Sequence, residues 1–198
     1  MGAKGTEGYG QEADNLARQY EEMTFADVHR DTLHLLPKPS ALILDVGAGT
    51  GRDAAHLAHK GYRVVAVEPT PELRHHGMRL HADAAIEWID DSLPALTALQ
   101  KNQGRFDAIL MTAVLMHLDE DERRTAMASI APLLAKQAVL ILSLRYGPVP
   151  SGRRMFAVPP SEIVDLAKVQ GLTLIHQNDR EDMKSRPDVS WTYLAFRC

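Results

Sequence analysis

The chain has 198 residues, 45% of them hydrophobic and 24% charged, enough for one domain with a sizeable core. A formal net charge of −4 argues against a dedicated nucleic-acid binder, and no apolar run approaches the roughly 20 residues of a membrane span. The one cysteine, Cys198, excludes an intrachain disulfide, and Met1 to Gly10 lacks the apolar core of a signal peptide, so a cytoplasmic protein is expected.

The residues before Tyr9 are expected to form a flexible tail. Gln11 to Leu36 follows a helical pattern, with Leu16, Tyr20 and Met23 on one face and then Phe25, Val28, Leu33 and Leu36. Pro37 and Pro39 end it. Ala41 to Asp45 is a continuous apolar run, as in a strand covered on both faces. A glycine-punctuated loop follows, then a helix from Asp53 to Lys60 that Gly61 stops. Arg63 to Glu68 is the second strand, and Thr70-Pro71 opens the next helix. Ile86 to Ile89 is a short third strand, Pro94 to Gln100 a short helix, and Phe106 to Met111 the fourth strand. Asp119 and Glu122 make a capping-box start for a helix to about Ala135, which Pro132 kinks or shortens. Ala138 to Leu144 is the fifth strand. A proline-rich loop from Arg145 to Pro160 leads to a last helix, capped by Ser161 and closed by Gly171. Leu172 to His176 and Trp191 to Arg197 have no helix between them, so they should pair antiparallel.

The first strand and its loop are the most informative stretch. Glycine takes φ > 0 and lets a ligand approach the backbone, while the start of a helix presents N–H groups and positive potential. Gly47, Gly49 and Gly51 give G-x-G-x-G, not the G-x-G-x-x-G of a dinucleotide site, because Arg52 stands where the third glycine would fall. Asp45, just before the loop, suits a cationic ligand better than a pyrophosphate.

The run Asp45-Val46-Gly47-Ala48-Gly49-Thr50-Gly51 resembles the first motif of class I S-adenosylmethionine (SAM) dependent methyltransferases, and Glu68 stands where their second motif has its acid. The resemblance implies a three-layer α/β fold, Rossmann-like, with a seven-stranded mostly parallel sheet of order 3-2-1-4-5-7-6 and an antiparallel last strand. It implies one methyltransferase domain over 1–198, with 1–40 as tail and helical cap and 41–198 as catalytic core. SAM would be the cofactor and S-adenosylhomocysteine the product. Asp45, Gly47, Ala48, Gly49 and Gly51 would hold the methionine part. Glu68, next to Pro69, would hold the ribose. Asp90 or Asp91 would stand near the adenine, and Thr112 and Ala113 would shape the cofactor site. The family's usual glycine pair before the fifth strand is replaced by Gln137-Ala138, which leaves that turn open.

His117 is the titratable group best placed to take a proton from an acceptor, or it serves to hold the loop. Tyr20, Arg145, Tyr146, Arg153, Arg154, Arg186 and Trp191 are further candidates on the acceptor side, and the paired arginines would suit an anion. His56 and His59, and His75, His76 and His81 with Asp83, lack metal-site spacing, so no metal is expected. The partner expected is a small-molecule methyl acceptor, with no nucleic acid or membrane, and a monomer or homodimer. The alternatives are a protein or RNA acceptor docked on the Arg153-Arg154 loop, or a SAM-binding protein without catalysis.

Overall fold

Leu42–Val46 (β1) is buried along its whole length, as a strand with cover on both faces must be. The structure, a computed structural model, describes residues 3–198. Upstream of β1 lie helices α1 (Ala13–Glu21) and α2 (Phe25–His29) and a 3-10 turn at Leu33–Leu35. The helical run expected from Gln11 to Leu36 is thus broken. Thr24 ends it, because its hydroxyl accepts from Asp27 N at 3.1 Å and caps a new helix instead of continuing the old one.

After β1 come α3 (Arg52–His59), β2 (Arg63–Val67), α4 (Pro71–Leu80) and β3 (Ile86–Ile89). The expected helix from Pro94 to Gln100 is only a 3-10 turn at Thr97–Leu99. The Asp91 carboxylate explains this: it accepts from Ser92 N and Ala98 N, each at 2.8 Å, and draws the segment into a loop. β4 (Phe106–Thr112) leads to α5 (Glu120–Ile130), whose capping box between Asp119 and Glu122 is formed. Pro132 ends that helix in a 3-10 turn before Ala135 is reached.

β5 spans Leu134–Tyr146, starting before the expected Ala138. Its register against β4 slips between the pairs Phe106–Leu134 and Ala108–Val139, and Gln137 takes φ +64° within that irregularity. A non-glycine residue therefore does what a glycine would do there, and the departure at Gln137-Ala138 stays local. α6 (Pro160–Val169) starts with Pro159 at its N-cap and no side-chain cap, so Ser161 lies inside it. β6 (Thr173–Glu181) and β7 (Ser190–Arg197) run further into the polar stretch than their apolar cores indicated.

The sheet order is β3-β2-β1-β4-β5-β7-β6, with the first five strands parallel and β7 antiparallel to both neighbours. This is the expected order. Alternate residues feed two cores: Ile43, Val64, Ala108 and Ile141 meet α2 and α3, whereas Leu44, Val65, Ile109 and Leu140 meet α5 and α6. Among the described residues, no helix is long and apolar enough to cross a membrane.

Candidate functional site

Strand order reverses between β1 and β4, and an open α/β sheet binds ligands outside the strand ends at such a switch point. A cavity of about 510 Å³ lies there, within the size range of ligand sites. It is bordered by the loop after β1, the end of β2, the segment after β4 and the end of β5, and is roofed by residues of the N-terminal region.

Gly47, Gly49 and Gly51 all have positive φ, at 71°, 59° and 77°. The loop's amides are largely spent within the protein: Gly47 and Ala48 donate to the Val67 carbonyl, Gly49 to Glu68 and Gly51 to Ala48. The glycines therefore supply room more than donors. A Cβ at Gly47 would come within 2.7 Å of Val114 Cγ2, and one at Gly51 within 2.6 Å of the Trp88 ring. Gly47, Ala48 and Gly49 line the cavity, but Gly51 does not; it packs against Trp88 at the start of α3.

Glu68 is 5% exposed, and its two carboxylate oxygens accept from Gly49 N and Thr70 N at 2.8 Å each. Burial pushes its pKa up, and those donors act against the shift. Each oxygen keeps a lone pair for a ligand hydroxyl. Pro69 also borders the cavity. Asp91 borders it too, with its oxygens turned to Ser92, Thr97 and Ala98. Asp90 does not; it points outward and pairs with Arg74 at 2.8 Å.

Asp45 is 2% exposed, and its Oδ2 has no hydrogen-bond partner. Burial, then the nearby Asp53, hold its carboxyl well above the usual range. Asp53, missed in the sequence, also lines the cavity. It accepts from Arg52 Nε and pairs with His29 Nε2, each at 2.7 Å, and accepts from Thr112 Oγ1 at 3.2 Å. Burial opposes its charge, yet Arg52 and His29 hold its carboxyl well below the usual range. Of two neighbouring acids, one keeps its charge and the other resists it. Thr112 and Ala113 border the same space, and Ala113 takes φ +59°, a conformation rare outside glycine.

His117 lies on the cavity wall with both ring nitrogens engaged. Nδ1 is 2.8 Å from the Arg154 carbonyl, which can only accept, so Nδ1 carries the proton and Nε2 accepts from the Tyr9 hydroxyl at 2.9 Å. Burial, with a contribution from Arg153, lowers the His117 pKa and keeps the ring neutral, although the bond to Arg154 acts the other way.

Tyr9 was expected at the end of a free tail. Residues 3–10 instead form turns tied to the core: Lys4 pairs with Glu122 at 3.1 Å, and Arg153 stacks 3.8 Å from the Tyr9 ring centroid. The only sequence signal was an aromatic residue inside a glycine-rich polar run. Tyr20 of α1 stands over Gly49, and Thr50 Oγ1 donates to Glu21 at 2.7 Å, fastening α1 to the loop.

Of the acceptor-side candidates, Tyr20, Arg145, Arg153, Arg186 and Trp191 border the cavity. Tyr146 does not, and donates to the Val158 carbonyl. Arg154 turns away to Asp119 and Glu122. The two adjacent arginines therefore do not act as a pair. Among the described residues, no group of three or more His, Cys, Asp or Glu side chains is arranged to hold a metal.

Residues 43–137 match the family model of a methyltransferase domain. An uncharacterized methyltransferase of Mycobacterium bovis is 35% identical over 118 residues, covering 58% of this chain and 57% of that relative, so the match spans little more than half of either. Among solved structures, a TehB-like SAM-dependent methyltransferase from Corynebacterium glutamicum has a TM-score of 0.69 and 21% identity, covering 94% of this chain and 97% of that one. The 1,6-didemethyltoxoflavin-N1-methyltransferase of Burkholderia thailandensis, solved with 1,6-didemethyltoxoflavin and S-adenosylhomocysteine, has a TM-score of 0.63 and 21% identity, covering 94% of this chain and 88% of that one. At such identities the likeness is one of fold.

Proposed function

Because residues 43–137 match the family model of a methyltransferase domain, we propose that the chain moves a methyl group from SAM to an oxygen or nitrogen of a small molecule, releasing S-adenosylhomocysteine. The observation that carries this reading is the meeting, in one cavity, of the glycine loop, the Glu68 carboxylate and the partnerless Asp45 Oδ2. A buried carboxyl oxygen without a donor is costly unless a ligand supplies one, and the ammonium of the cofactor's methionine part is such a donor. Glu68 would receive the ribose hydroxyls. Gly47 and Gly49 would let the ligand lie against the backbone, with Thr112 and Ala113 shaping the opposite wall.

Bound there, the cofactor's sulfonium makes its methyl carbon electrophilic. What the chain's own residues add is alignment, which is worth about 7–11 kcal/mol of a barrier when reactants are well oriented. Tyr9 and Tyr20 roof the cavity and keep water out. His117, neutral and accepting at Nε2, provides a sink for a proton. The acceptor's proton goes to the Tyr9 oxygen as the Tyr9 proton moves to Nε2, leaving an imidazolium held by the Arg154 carbonyl.

The small-molecule reading is favoured by the fate of the two arginines that would have docked a macromolecule: Arg153 pairs with Glu12, and Arg154 with Asp119 and Glu122. The small acceptor in the Burkholderia thailandensis structure gives further support. Residues 1–198 would then act as one unit, the N-terminal elements roofing the core.

Calorimetry with S-adenosylhomocysteine, then incubation of methyl-labelled SAM with a metabolite extract and mass spectrometry of products, tests the reading. Binding and a labelled small molecule are expected. Binding with no labelled product in a broad screen would make the protein a non-catalytic SAM binder, and absence of binding would overturn the site itself.

A further inference from the structure

Six cationic side chains border the cavity: Lys4, Arg52, Arg145, Arg153, Lys184 and Arg186. Five are neutralised by an acid of this chain. Lys4 pairs with Glu122 at 3.1 Å, Arg52 with Asp53 at 2.7 Å and Arg153 with Glu12 at 2.6 Å. Lys184 pairs with Glu22 at 3.1 Å, and Arg186 with Asp182 at 2.7 Å. Among the described residues Arg145 makes no ion pair, and its one side-chain bond runs from Nη1 to the Pro148 carbonyl at 3.1 Å. The carboxylate that acts on it from nearby, Asp182, already accepts from Arg186 Nε and Nη2 and from Trp191 Nε1.

A guanidinium left with most of its donors open at a ligand cavity is a receptor for a planar anion, because its fork matches a carboxylate at two points. Arg145 stands at the end of β5, opposite Trp191 in the register with β7. Arg145 borders the same cavity as Tyr9 and His117. Partial burial, and then Arg186, disfavour its bare charge, a cost that a bound anion would relieve. The rings of Tyr9, Tyr20 and Trp191 border the same space and present flat apolar surface.

We propose that the methyl acceptor is an aromatic carboxylate whose anionic group is received by Arg145. This inference rests on the methyltransferase reading and deepens it. The arginine serving the acceptor is then Arg145, and not the Arg153-Arg154 pair.

The test uses the full chain saturated with S-adenosylhomocysteine, titrated with benzoate, 4-hydroxybenzoate and salicylate, each beside its primary amide. At least one carboxylate should bind about tenfold more tightly than its amide, as a charge-assisted bond predicts. Arg145→Gln should abolish the preference and Arg145→Lys should keep part of it, with affinity for S-adenosylhomocysteine unchanged in both. No carboxylate exceeding its amide, or a preference that survives Arg145→Gln, would overturn the inference. Failure of S-adenosylhomocysteine to bind the parent chain would instead strike the methyltransferase reading, so the two failures are distinguishable.

Discussion

The Tyr9 hydroxyl lies 2.9 Å from His117 Nε2, and the two rings meet edge to face at 87°. Residues 108 positions apart thus form one half-buried polar pair on the cavity wall. Neither ring has freedom to serve elsewhere without breaking the other's bond, so the two should behave as a unit.

Replacement of Tyr9 by Phe should lower turnover by about 100-fold, the smaller end of general acid–base effects, with little change in affinity for S-adenosylhomocysteine. His117→Ala should do the same, and the double variant should be hardly worse than either single one, since groups acting as a unit are not additive. Steady-state kinetics on the three variants decides; additive losses would separate the two roles.

Glu68→Gln keeps the shape of the side chain but replaces one acceptor oxygen with a donor. Gly49 N or Thr70 N then loses its partner inside the protein. A stability loss of about 1–3 kcal/mol is expected in urea denaturation, with affinity for S-adenosylhomocysteine falling at least about tenfold. Unchanged affinity would remove Glu68 from the ligand site.

Gly47→Ala and Gly51→Ala should part company. Both force a side chain into positive φ and into a neighbour, so each should destabilise the fold by about 1–3 kcal/mol. Only Gly47 borders the cavity, so only its variant should directly obstruct the ligand. Calorimetry at a temperature where both variants remain folded checks the contrast. Equal losses of affinity would show that the loop responds as a whole.

Asp45 gives a pH dependence. Its folded pKa is raised, so between the ordinary value of about 3.9 and that raised value the folded chain holds more protons than the unfolded one. The contribution to stability is therefore complete below the ordinary value and is lost as pH rises through the folded one. A ligand ammonium beside Asp45 would reverse the preference and expel a proton. Binding enthalpies of S-adenosylhomocysteine in buffers of different ionisation heat should differ for the parent within that window and coincide for Asp45→Asn.

The sheet was legible because its signals are local: apolar runs, a glycine loop, and the lack of room for a helix between the last two strands. The loop glycines and Glu68 were equally open to reading, since backbone conformation and strand position fix what they face. Tyr9 and Asp53 were not, because each owes its place to partners far along the chain, His117 for one and His29 and Thr112 for the other. For the same reason the two adjacent arginines looked alike in the sequence, yet Arg153 turns inward to Tyr9 and Arg154 away to Asp119. Asp90 and Asp91 diverge because the loop after β3 winds around one carboxylate and leaves the other at the surface.

The roof and floor of the cavity are joined by different kinds of bond. Backbone ladders and tight turns build the floor, whereas side-chain pairs such as Lys4–Glu122, Arg153–Glu12 and Lys184–Glu22 fasten the roof. Each of these pairs has one partner more than half exposed, which leaves it weaker and easier to replace than a glycine held at positive φ. Descendants of this chain could therefore exchange these fastening pairs and acquire new acceptors, with the cofactor loop passed on unaltered. Divergence in what is methylated and constancy in what donates the methyl would follow from how the two walls are made.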